Sequence, residues 1–192
     1  MFAFKDQRFG CLSRSAAVLL FLYKPLNNFL TDIPQIVNKL SCLARDLLQL
    51  PYLKNIFLVF ASLGIHVIEP FFAKTIETTS THTSLKIFYQ GLYDGMNTTI
   101  HKSFFEFKEP NFSVVTKELF DGVKKSYGSS VVEAFSSFSD EFGSEAVKLV
   151  NMVLPELRKV LKRQRRDYGL DPATFLWSFL SRSRLIMLMA AQ

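Results

Sequence analysis

Cysteine is scarce, with only Cys11 and Cys42 in 192 residues. Two cysteines cannot build a disulfide framework, so a reducing compartment is expected, nuclear or cytoplasmic, with a mitochondrial setting as the alternative. The three histidines, His66, His82 and His101, stand far apart, and none falls at metal-ligand spacing with a cysteine or another histidine. Neither cysteine has the neighbours a nucleophile needs. The eight glycines are scattered and none opens a strand–turn–helix unit, which removes a phosphate-cradling loop. No alternating strand of useful length, internal repeat, low-complexity tract or linker is present. No catalytic residue, metal site or cofactor is therefore expected, and the chain does not read as an enzyme.

What is abundant is apolar surface. The chain is 48% hydrophobic and carries 20 phenylalanines against one tryptophan and six tyrosines, ample for one packed core. The organising stretch is residues 51–96. Pro51 fits the first position of a helix, where its missing N–H costs nothing. Residues 56–68, 13 in all, are apolar nearly all round, which means a core or a membrane helix. That length falls short of the roughly 20 residues of a span, so a core helix is expected and a membrane segment is not. Pro70 is expected to bend or stop it. The polar residues 78–84 read as a loop, followed by a helix with Leu85, Phe88, Leu92 and Met96 at steps of three and four. Together the two helices predict a buried central hairpin, with Phe57, Phe60, Leu63 and Leu92 packed together.

Around it, the whole chain reads as one all-α domain over residues 1–192, an irregular multi-helix bundle. Residues 1–8 are a candidate for disorder. A first helix is expected from Ser13 or Ser15 to Tyr23, broken or kinked at Pro25. Lys5, Arg8 and Arg14 ahead of the apolar residues 16–22 suggest a targeting segment, but no small-residue cleavage pattern follows, and an amphipathic helix is the better reading. Asp32 and Pro34 mark the start of another helix, with Ile36, Val37, Leu40, Leu43, Ala44, Leu47 and Leu48 on one stripe. Residues 101–112, with four phenylalanines, read as an irregular connection. A helix over residues 114–125 is expected next. Ser130 and Glu133 match a capping box for a short helix through Phe138. Gly143 and Ser144 then open a longer one, with Val147, Val150, Leu154, Leu157 and Leu161 at helical spacing, a kink at Pro155 and a stop at Gly169. Asp171 and Pro172 begin a C-terminal helix within residues 170–192, whose inner face would include Phe175, Leu176, Phe179 and Leu180.

Three features invite a functional reading. His66 and Glu69, one turn apart, could share a helix face, although a buried histidine ordinarily just finds a hydrogen bond. Asp140, Glu141 and Glu145 are acidic neighbours beside the expected helix start, where negative charge is favoured anyway. The third is the formal charge of +6. Arg158, Lys159, Lys162, Arg163, Arg165 and Arg166 supply six cations in nine residues, and the other 17 Lys and Arg balance the 17 acidic residues. Arg158, Lys162, Arg163, Arg165 and Arg166 are thus candidates to contact phosphate. A solvated helix end that complements the helix dipole accounts for the same charges.

The segment Gln7-Arg8-Phe9-Gly10-Cys11-Leu12-Ser13-Arg14-Ser15-Ala16-Ala17 resembles the start of the helical insertion in hAT-type transposases, where a Thr-Arg-Trp motif precedes a helix lined with apolar residues; Gln7 and Phe9 stand here in place of Thr and Trp. Leu53 to Phe60, then Phe71-Phe72, His82-Thr83-Ser84-Leu85 and Leu92-Tyr93, are similar to later parts of that region. The resemblance spans most of residues 7–168. It implies a non-catalytic helical module, because the family's catalytic carboxylates sit on a ribonuclease-H-like sheet that has no counterpart in this sequence. Such a module would serve protein association or auxiliary nucleic-acid contact, with a protein as the expected partner. The alternative is a small helical subunit of a membrane or mitochondrial assembly, suggested by the phenylalanine richness, the apolar run and the basic N-terminus.

Overall fold

A computed structural model of the protein describes residues 3–32, 39–50, 52–76 and 82–168. The fold is all-α, a multi-helix bundle with no strand among the described residues. In chain order the helices are α1 (Ala3–Phe21), α2 (Tyr23–Asp32), α3 (Lys39–Leu48), α4 (Leu53–Leu63), α5 (Glu69–Ile76), α6 (His82–Gly95), α7 (Lys117–Tyr127) and α8 (Ser129–Tyr168). Pro51, Pro34 and the C-terminal segment from Gly169 onward lie outside the described residues, and so do the helix starts expected there.

Helix α4 is the centre, walled by α1 on one side and α8 on another, while α6 packs against α5 and α8. Small residues explain how α1 comes so close: Ser13, Ala16 and Ala17 are buried along it. At the crossing, a Cβ on Gly64 would lie 2.5 Å from both the Ser13 Cβ and the Tyr127 hydroxyl. Only hydrogen fits there. The expected central group is met in part: Leu63 and Leu92 are buried, whereas Phe57 and Phe60 are half-buried.

Pro70 does not stop the central helix. A π-helical turn, Gly64–Ile68, joins α4 to α5, and the Glu69 N–H reaches back five residues to the Gly64 carbonyl. A proline ring collides with the carbonyl four residues earlier in a regular helix, and the wider turn directly before it relieves that collision. The consequence revises the length argument. Leu53–Thr75 is, by length and composition, long and apolar enough to cross a bilayer, and 56% of its most apolar window is buried inside the bundle.

Two more expectations are corrected. Helix α1 starts at Ala3, well before Ser13, and its break falls at Leu22; Pro25 then sits in the first turn of α2, where its absent N–H is harmless. At the other end α8 runs unbroken for 40 residues through Gly143 and Pro155. Gly143 is no helix start: its missing side chain admits Lys102, whose Cε would lie 3.2 Å from a Cβ there. Asp140, Glu141 and Glu145 are accordingly mid-helix. They face Lys102, Lys54 and Lys148, at 3.8, 4.0 and 2.8 Å.

The irregular connection is as irregular as its sequence suggests, with a single 3₁₀ turn, Lys102–Phe105. It nevertheless contributes four rings to the core. Phe104, Phe105, Phe107 and Phe112 are all buried. Phe107 takes a left-handed backbone (φ 54°), and its carbonyl accepts from the Lys124 Nζ at 3.1 Å. Gly91 and Gly95, one turn apart on α6, leave room for Val114 and Phe112 to lie against that helix. Thr116 then caps α7 by accepting from the Leu119 N–H at 3.3 Å.

Candidate functional site

Three places carry unusual chemistry: the basic half of α8, the surroundings of His66, and the outer faces of α1 to α3.

On α8, Pro155, Arg158, Lys159 and Lys162 line a groove of about 550 Å³ together with Tyr93, Asn97 and Thr98. Arg158 is committed within it. Its Nε donates to the Tyr93 carbonyl at 3.2 Å, its Nη1 to the Asn97 Oδ1 at 3.0 Å, and the guanidinium lies 4.2 Å over the Tyr93 ring. Arg158 therefore closes the C-terminal end of α6, where a cation satisfies orphan carbonyls and complements the dipole. Lys159 pairs with Glu156 at 2.6 Å. Lys162 is exposed and has no ion pair recorded among the described residues. Arg163, Arg165 and Arg166 follow on the last turns of the helix, their side chains outside the described set.

His66 sits in a shell of phenyl rings. Phe104, Phe120 and Phe107 stack on the imidazole with centroids at 4.3, 5.0 and 5.5 Å. Its Nε2 lies 2.7 Å from the Phe104 carbonyl. A carbonyl only accepts, so Nε2 carries the proton and Nδ1 is the bare nitrogen, buried with no partner. Burial dominates and lowers the His66 pKa to about 4, with Lys124 pushing the same way against the Phe104 bond. Glu69 points elsewhere: it holds Arg14 through both oxygens, at 2.8 and 3.1 Å. The pair the sequence suggested is thus split, and His66 is neutral at pH 7 and 1% exposed. Among the described residues no cluster of three or more His, Cys, Asp or Glu side chains comes together.

The third place includes the apolar stripe expected from sequence on the helix after Pro34, of which Ile36 and Val37 lie outside the described residues. On α3 only Leu48 is buried, with Ala44 half-buried; Leu40, Leu43 and Leu47 are 71%, 54% and 44% exposed. Among the described residues eleven large hydrophobics are exposed, and nine of them lie between residues 12 and 52: Leu12, Val18, Phe21, Leu22, Phe29, Leu40, Leu43, Leu47 and Tyr52. Helices α2 and α3 form an arm tied to the bundle at its base. The Tyr23 hydroxyl donates to the Leu48 carbonyl, and the Tyr23 ring meets Phe138 edge-on at 6.3 Å. Lys54 is clamped between the Tyr23 and Phe142 rings, 4.8 and 4.7 Å from their centroids. Helical periodicity could find the leucine stripe but could not say that, among the described residues, it would stay largely exposed. No protein-family model, curated protein or solved structure matches the chain.

Proposed function

We propose that the chain is a non-catalytic helical association module, of the kind its resemblance to the hAT-type insertion region implies, and that the arm formed by α2 and α3 takes up an apolar helix of a protein partner. The observation that supports this reading is the concentration of exposed leucine and phenylalanine on residues 12–52. Leu40, Leu43 and Leu47 recur at steps of three and four on one face of α3, and an apolar face left exposed marks a contact site, whereas scattered single residues are normal. The phosphate reading has less to stand on among the described side chains. Arg158 is spent on α6 and Lys159 on Glu156, which leaves Lys162. Contact of the α8 end with nucleic acid is auxiliary in this reading.

The test places a photo-crosslinking amino acid at Leu40, at Phe29 and, as control, at the exposed Lys125 of α7. In cells, the first two positions are expected to give discrete protein adducts and the third none. Equal labelling at all three positions, or adducts to lipid alone, would overturn the reading.

A further inference from the structure

The occupant of the arm can be named from its register. Leu40, Leu43 and Leu47 follow steps of three and four, the a, d, a positions of a heptad, and in sequence Ile36 continues the spacing upstream. Ala44 and Leu48, which face the protein's own core, lie on one flank of this stripe. Lys39 and Asp46 lie on the other, seven residues apart and both exposed. Both are therefore g positions. In a parallel pair of such helices a g residue meets an e residue, and the e position here is Ala44, so no charge finds a partner. In an antiparallel pair g meets g. Lys39 of one copy then lies beside Asp46 of the other, and symmetry gives the contact twice. In that register Leu40 of each copy packs on Leu43 of its mate, astride the dyad, and Leu47 extends the seam. The short intrachain contact of Asp46 with Arg45, 3.6 Å between exposed side chains, is too weak to compete with burial of the stripe.

We infer that the arm pairs with a second copy of this chain, α3 antiparallel to α3, through Leu40, Leu43 and Leu47 with reciprocal Lys39–Asp46 contacts. This rests on the reading of the arm as an association surface and names its partner. Three leucines and Phe29 per copy form a contact below standard size, so reversible dimers are expected with Kd of about 1–100 µM.

Sedimentation of the purified full chain over that concentration range provides the test. The parent is expected to pass from monomer to dimer, and Leu43→Gln to remain monomeric with an unchanged circular dichroism spectrum. Lys39→Glu and Asp46→Lys should each weaken the dimer by about tenfold or more, because each sets like charges together twice. The double variant Lys39→Glu/Asp46→Lys should restore it. The double variant Leu40→Cys/Leu43→Cys, with Cys11 and Cys42 replaced by Ser, should oxidise to a disulfide-linked dimer while neither single cysteine does so, whereas in a parallel pair each single variant would oxidise. A parent that stays monomeric, a dimer indifferent to Leu43→Gln, or single charge variants without effect would overturn the inference. Protein adducts from Leu40 in cells alongside a monomeric parent would sink the self-pairing while leaving the association reading intact; loss of those adducts would sink both.

Discussion

Around His66, phenylalanines from three parts of the chain surrender nearly all their surface to one another; along α3, leucines of the same hydrophobicity keep about half of theirs in water. Both regions are strongly apolar, and they differ in what surrounds them. The shell is enclosed by α4, the π turn, α7, α8 and the irregular connection, so each ring has neighbours on every side. The arm meets the core through Tyr23, Leu30 and Leu48, with Leu26 and Ala44 packed beside them, while Phe29, Leu40, Leu43 and Leu47 stay largely exposed. Burial is what converts an apolar side chain into stability, at about 25 cal/mol per Å² removed from water. The shell has that contribution already. The arm has it in reserve, available when something covers it.

The comparison breaks most readily at the shell. Phe120→Ala removes a fully buried ring that stacks on His66 and lies 5.0 Å from the Lys124 ammonium. A loss of about 3–5 kcal/mol is expected, the range for phenylalanine truncation in a tight core. Urea denaturation measures it directly. A loss below about 1 kcal/mol would mean that the shell collapses around the gap and is no more tightly built than the arm.

Much of this architecture was legible in the sequence. Helical steps located α3, α6 and the distal half of α8, and the apolar run located α4. Three things were hidden, each for a physical reason. The path through Pro70 depends on a π turn, which leaves no mark on hydrophobic spacing. The weight of residues 101–112 depends on tertiary enclosure: four phenylalanines without periodicity look like a loop, and only Phe107's left-handed backbone turns that loop into a wall of the core. The fate of the α3 stripe was invisible because an amphipathic helix states that it has an apolar face and does not state what covers it. Arg158 shows the same limit on the polar side. Its charge suggested a ligand, and its geometry made it the cap of α6.

Titration sharpens the contrast next, since the shell holds a fully buried imidazole. An unfolded histidine titrates near 6.5, and folded His66 near 4. The folded state therefore binds its proton less tightly. Stability from this group is complete above pH 6.5 and is lost as pH falls through the folded value, by about 2–3 kcal/mol between pH 7 and 4. Denaturation midpoints of the parent and of His66→Gln across that window supply the measurement. The variant is expected to start less stable and to show a flatter pH profile. Parallel profiles would place the acid sensitivity on carboxylates and remove His66 from the account.

The smallest effect belongs to the arm, and its sign carries the argument. Leu40→Gln and Leu43→Gln replace exposed side chains, so in dilute protein each should shift stability by no more than about 0.5 kcal/mol. If either costs more than about 1 kcal/mol at that dilution, the stripe is covered by the chain itself and the contrast with the shell disappears. Concentration separates the remaining possibilities. Anything that binds the folded chain and not the unfolded one raises the melting temperature by mass action. A second copy is such a ligand, and its supply rises with total protein. The parent's Tm should then climb with concentration while that of Leu43→Gln stays level, so two variants that look neutral when dilute diverge from the parent when concentrated. A Tm equally flat in both would leave the leucines of α3 exposed with nothing from a second copy to cover them.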